Sequence, residues 1–184
     1  MGLFDNIGSP APQNVQQSSG NKTVDVVFTK LPDNFAEFTA LPQAAMDDPF
    51  KTAALTVLAL CFYPQDKDTC IQMLNFLKGP QSLSTYEQQF LADRFRDADY
   101  VPRSYFVGAV PANDYKPAQP YTVKVSENPY SYQDSGYAKL YLQSGGADSP
   151  RPIQLRLAKD GKWYLWEQFL LAGIRPPEST NPWA

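Results

Sequence analysis

The chain predicts an α+β domain: one N-terminal strand, three helices, then a roughly five-stranded antiparallel meander packed on the helices. Two changes of pattern carry that reading. Between Asp47 and Phe95 apolar residues recur at helical spacing, and beyond Tyr100 they alternate instead. The alternating runs are divided by short Pro, Gly, Asn and Asp turns, and consecutive strands on short connections pair antiparallel. A third observation is size: 184 residues, 43% hydrophobic and 14% aromatic, suffice for one well-packed core.

Residues 1–21 are rich in Gly, Ser, Pro, Gln and Asn, so a flexible N-terminal tail is expected there, with a single domain over 22–184. Thr23 to Lys30 alternates, with Val24, Val26 and Phe28 on one face, and predicts a strand. Asp47-Asp48-Pro49 predicts a helix start, a carboxylate cap with proline in the first turn. The helix behind it is apolar on both sides: Phe50, Ala53, Ala54, Val57, Leu58 and Cys61 on one, Leu55, Leu60 and Phe62 on the other. It is therefore expected to be central, with Pro64 beyond its end.

A second helix starts at Asp66 or Asp68 and runs to Lys78 with Ile71, Leu74 and Leu77 as its stripe, stopped by Gly79-Pro80. Ser84-Thr-Tyr-Glu87 is a capping box for a third, with Tyr86, Phe90, Leu91 and Phe95 expected to pack inward. Strands are then predicted over Ser104–Val110, Tyr121–Ser126, Tyr137–Gln143, Ile153–Ala158 and Trp163–Gln168.

Composition narrows function more than any motif does. There is no histidine, which removes Ser-His-Asp and Cys-His catalysis and His-ligated metal sites. A net charge of −3 argues against a nucleic-acid partner. No apolar run approaches the ~18 residues that span a bilayer, and no secretory leader is legible, so a cytoplasmic protein without membrane contact is expected. Gly-rich phosphate loops are missing as well. No catalytic residue, cofactor or metal is expected.

Two cysteines, Cys61 and Cys70, stand nine apart among apolar neighbours and read as buried reduced thiols. Glu167 shares an alternating face with Trp163 and Leu165. If buried, it should show a raised pKa or pair with Arg151, Arg156 or Arg175. Tyrosines are dense from Tyr115 to Tyr141. With Trp163 and Trp166 they would serve either as cross-strand pairs or as a platform for a sugar or peptide.

Four stretches carry a resemblance: Tyr137-Ala-Lys-Leu-Tyr141, Ser144-Gly-Gly-Ala-Asp-Ser-Pro-Arg-Pro152, Asp160-Gly-Lys-Trp-Tyr164, and Gly173-Ile-Arg-Pro-Pro177 with the terminal Asn-Pro-Trp-Ala. Together they resemble an uncharacterised family of bacterial proteins, mainly from Firmicutes, over about residues 23–184. The resemblance implies a bacterial protein and supplies no catalytic residues. Helices followed by a meander ending in Asp-Gly-Lys-Trp more loosely resemble the cystatin-like or NTF2-like folds.

Three functional expectations follow. One is a non-catalytic protein-binding or assembly module, a homodimer or a protein partner meeting the aromatic C-terminal sheet. Another is an NTF2-like small-molecule pocket protein or enzyme using carboxylate, Tyr or Arg chemistry. The third is a carbohydrate-binding module. The residues offered for binding or a pocket are Tyr130, Tyr132, Tyr164, Trp166, Glu167 and Arg175. Tyr164 and Trp166 lie on the face of strand 163–168 opposite Trp163 and Leu165, so both faces need a cover. The 169–184 segment, with Pro176, Pro177 and Trp183, is the first candidate to cover the second, a partner subunit the next, and a ligand the third.

Overall fold

The structure, a computed structural model, describes residues 21–183; the expected N-terminal tail lies outside them apart from its last residue. Strand β1 (Thr23–Phe28) is followed by a short helix α1 (Phe35–Thr39). Then come α2 (Pro49–Cys61), α3 (Lys67–Lys78) and α4 (Thr85–Phe95), and after them β2 (Tyr121–Ser126), β3 (Tyr137–Leu142), β4 (Arg151–Leu157) and β5 (Trp163–Gln168). The five strands form one antiparallel sheet in the order β1-β2-β3-β4-β5. Strand β1 thus closes one edge beside β2, and β5 is the other edge.

The helices begin where the caps place them. Asp48 accepts from the Phe50 N–H, Asp66 from Thr69, and Ser84 with Glu87 makes a complete capping box. Helix α1 has weak periodicity and was not expected; Asn34 caps it through the Glu37 N–H, and Phe38 is its one buried side chain.

Helix α2 is buried on every side from Thr52 to Leu60. It lies across the inner face of the sheet, formed by Val26 and Phe28, Val123 and Val125, Ala138, Leu140 and Leu142, Ile153 and Leu155, Trp163 and Leu165. Its two buried hydroxyls are satisfied, Thr52 donating to the Trp163 carbonyl at 2.7 Å and Thr56 to the Thr52 carbonyl at 2.9 Å. Burial pushes the Cys61 and Cys70 thiols up to about 12, in keeping with inert reduced cysteines.

The expected strand over Ser104–Val110 does not form. Pro102–Tyr105 is a 3-10 turn, and Ser104, Tyr105 and Phe106 are buried in succession rather than alternately. Strand β3 pairs with β2 only at Val125 and Ser126, and Phe106 fills the space beside the first half of β2 with a single bridge to Val123. Five strands result, the fifth being β1.

Beyond β5 the chain turns away from the sheet's outer face. Tyr105, Tyr100 and Tyr115 donate their hydroxyls to the carbonyls of Leu170, Ile174 and Arg175. Arg151 binds the carbonyls of Ala172 and Gly173, and the Arg175 N–H donates to Gly146 at 2.9 Å. The 169–183 segment therefore lies against the β3–β4 loop, with Trp183 92% exposed, and is not the cover for β5.

Gly145 and Gly146 make this approach possible: a Cβ would sit 1.9 Å from the Ala109 carbonyl oxygen at the first and 2.1 Å from the Tyr115 hydroxyl at the second. Gly145→Ala should accordingly cost about 1–3 kcal/mol of stability by overpacking, read as a lowered urea midpoint. An unchanged midpoint would show that the loop relaxes freely.

Candidate functional site

The site grows from the free edge of β5. At the start of the strand the edge is occupied by its own chain: the Trp163 N–H donates to the Met46 carbonyl at 2.8 Å, and Thr52 caps the Trp163 carbonyl. Farther along, the Lys78 ammonium, at the end of α3, reaches the Trp166 carbonyl at 3.2 Å and the Glu87 carboxylate of α4 at 3.0 Å. The other Glu87 oxygen accepts from the Ser84 N–H at 2.7 Å. One ammonium, with 9% of its side chain exposed, thus ties α3, α4 and β5 together.

Between these elements runs a groove of about 290 Å³, walled by Leu74, Tyr86 and Phe90 on the helices, Leu83 in the connection between α3 and α4, and Trp166 and Phe169 on the strand side. Its lining is mostly apolar. Tyr86 is 76% exposed, Phe169 46% and Trp166 36%, three large hydrophobics presented along one depression. The inward packing expected of α4 holds for Leu91 and Phe95, which are buried, and in part for Phe90, which packs against the core, but fails for Tyr86.

A second depression of similar size continues past Trp166, lined by Lys78, Pro80, Gln81, Arg156 and Tyr164. Tyr164 covers Gly79, whose φ of +64° and lack of a Cβ let the ring lie directly on the α3 terminus. Its hydroxyl donates to Asp160 at 2.7 Å, which holds that carboxyl below the usual aspartate range.

Glu167 is exposed rather than buried. The pairing of β5 with β4 skips Trp166: Leu155 faces Leu165 and Gln154 faces Glu167. The bulge moves Glu167 off the Trp163–Leu165 face into the row of Gln154 and Lys139. None of the three arginines named for it pairs with it. Arg175 pairs with Asp148 at 3.0 Å, Arg151 binds the carbonyls of Ser149, Ala172 and Gly173, and Arg156 lies against Tyr137.

The six expected residues are thus divided. Tyr164, Trp166 and Glu167 line the two depressions, Tyr164 the second, Glu167 the first and Trp166 both, while Arg175 lies at the β3–β4 loop. Tyr130 is 71% exposed beside Tyr137 and Tyr141 in a third, polar depression over the sheet's outer face. Tyr132 meets Trp163 edge to face at 6.4 Å, and burial, then Glu127, push its hydroxyl up. Among the described residues no polar contact joins Tyr164, Glu167 and Arg175. Tyr86, Phe90, Phe169 and Lys78 were not expected; the caps that set α3 and α4 were legible, but their approach to the β5 edge was not.

With the geometry in hand, comparison with known families is informative. The profile of a family described as a domain of unknown function, DUF6935, matches residues 30–178. The chain belongs to this family. The matched span holds the helices, strands β2–β5 and every residue of the groove, so the groove is part of the family domain. No curated protein and no solved structure matches the chain.

The Lys78–Glu87 contact gives a pH-dependent prediction. Burial raises the Glu87 carboxyl, but the Ser84 N–H and the Lys78 ammonium outweigh it and hold the pKa below the ordinary 4.5. The stability this supplies is present above pH 4.5 and is lost as pH falls through the lowered folded value. Because the carboxylate is partly exposed, Glu87→Gln should cost no more than about 1 kcal/mol at pH 7. Denaturation of both proteins should show that difference shrinking as pH falls below 4.5 through the lowered folded value; a gap independent of pH would contradict it.

Proposed function

We propose that the domain is a non-catalytic protein-binding module of the bacterial cytoplasm that docks an apolar segment of a partner protein in the groove between β5 and α4. The observation that carries the reading is the alignment of Tyr86, Trp166 and Phe169, exposed large hydrophobics along one mostly apolar depression. Aromatic anchors set in a concave surface supply most of the affinity of protein interfaces. Trp163 and Trp166 of β5 already have their carbonyls taken by Thr52 and Lys78, so the occupant is held by side chains rather than by adding a strand.

A pocket enzyme of the NTF2-like kind gains less support, since its polar candidates bind different neighbours and do not converge on one cavity. The carbohydrate-binding reading rests on Tyr130, Tyr137 and Tyr141 with Asp134 and Gln154, a polar depression apart from the groove.

The two binding surfaces are separable by mutation. A displayed random-peptide library panned on the domain should yield apolar peptides, and polarisation of a labelled one should show Tyr86→Ala and Phe169→Ala each weakening it about tenfold or more. Tyr130→Ala should bind as the unmodified protein does. Loss on Tyr130→Ala with retention on Tyr86→Ala would overturn the groove reading. Light scattering after size exclusion adds a check: a dimer dissociated by Phe169→Ala would make a second copy the partner.

A further inference from the structure

Arg156 is the cation that the groove leaves unpaired. It projects from the outer face of β4, opposite Tyr137 on β3 and Tyr164 on β5. Its guanidinium carbon stands 4.8 Å from the Tyr137 ring centre and 5.2 Å from that of Trp166, and those two rings meet edge to face at 5.6 Å. Among the described residues its acceptor is the Tyr137 hydroxyl, and no carboxylate lies within ion-pair distance of it.

Its neighbours are already engaged. Lys78 is neutralised by Glu87 and Asp160 is bonded to Tyr164. This guanidinium is exposed, rests against the two rings and bonds no carboxylate, so its remaining N–H groups can take a carboxylate in a bidentate fork. The contacts with Tyr137 and Trp166 restrain the long side chain before a ligand arrives, which lowers the ordering cost of binding.

We infer that the groove's occupant is an acidic apolar segment: its apolar side chains fill the Tyr86–Phe90–Phe169 depression, and one Asp or Glu side chain crosses Trp166 to the Arg156 guanidinium. This rests on the docking reading above and adds to it the chemistry of the partner. A side chain, not a chain terminus, is the source of the carboxylate. Arg156 stands one strand, about 4.8 Å, inside the β5 edge, so a backbone lying along that edge reaches it sideways.

Polarity follows from Glu87 and Glu167, which both line the groove and disfavour a further acid within it. The acidic residue therefore belongs at the end of the segment beside Tyr164, and neutral or basic residues at the end beside Phe169.

The test uses the full chain and peptides selected from the displayed library. Peptides should carry one acidic residue at a fixed spacing from their apolar anchors. Changing that residue to its amide, or Arg156→Gln in the protein, should each weaken binding about tenfold, and the two together should weaken it no further. Amidating the peptide's C-terminus should change nothing.

Peptides without a fixed acid, equal binding by Arg156→Gln, or additive losses would overturn the inference. If Tyr86→Ala and Phe169→Ala still weaken those peptides, the groove reading survives while the acidic partner falls. If neither matters, both fall. Circular dichroism of Arg156→Gln, expected to match the unmodified protein, excludes misfolding as the cause of a loss.

Discussion

The burial of α2 on every side from Thr52 to Leu60 is the constraint from which the rest follows. A helix with no solvent face must be covered all round, and here the sheet supplies one side while α3 and the turns about Pro42–Ala45 and Pro102–Tyr105 supply the other. Five strands suffice for the sheet side, and β5 is the last of them. Its first residue is hydrogen-bonded to α2 through Thr52 and to the turn before α2 through Met46. The end of the sheet is thereby fixed against the helical layer, and α3 and α4 are left to meet the remainder of its edge.

They meet it through a single charge. Lys78 bonds the Trp166 carbonyl and Glu87 from a side chain almost out of water, so the edge is capped at that point while the surface beyond it stays open. A groove arises because α4 buries Leu91 and Phe95, packs Phe90 only partly against the core and leaves Tyr86 on the same depression as Phe169. A fully packed α4 would have closed it. The tyrosine richness of the chain has a separate cause. Tyr100, Tyr105 and Tyr115 hold the C-terminal segment by its carbonyls, with Tyr100 stacked on Tyr115 at 5.5 Å.

Most of the fold was legible because local chemistry agreed with the tertiary outcome. Caps at Asp48, Asp66 and Ser84 and alternation over Tyr121–Ser126 and Trp163–Gln168 placed helices and strands within a residue or two. The failures lie where tertiary contacts overrode local pattern. Ser104–Val110 alternates in sequence but fills a space that β3 leaves beside β2. The bulge at Trp166 reverses the face of Glu167, and nothing in Trp-Tyr-Leu-Trp-Glu marks an extra residue. Of the site, Trp166 and Tyr164 were readable as aromatics on a second face. Arg156 was readable only as an ion-pair partner, because the rings beside it come from two other strands.

The central claim is that binding happens at the β5–α4 edge and not over the sheet's outer face. A two-dimensional NMR titration of isotope-labelled domain with a library-selected peptide reports this directly. The account predicts that the largest shift changes fall on Tyr86, Phe90, Trp166 and Phe169. Changes centred instead on Tyr130, Lys139 and Tyr141 would contradict it.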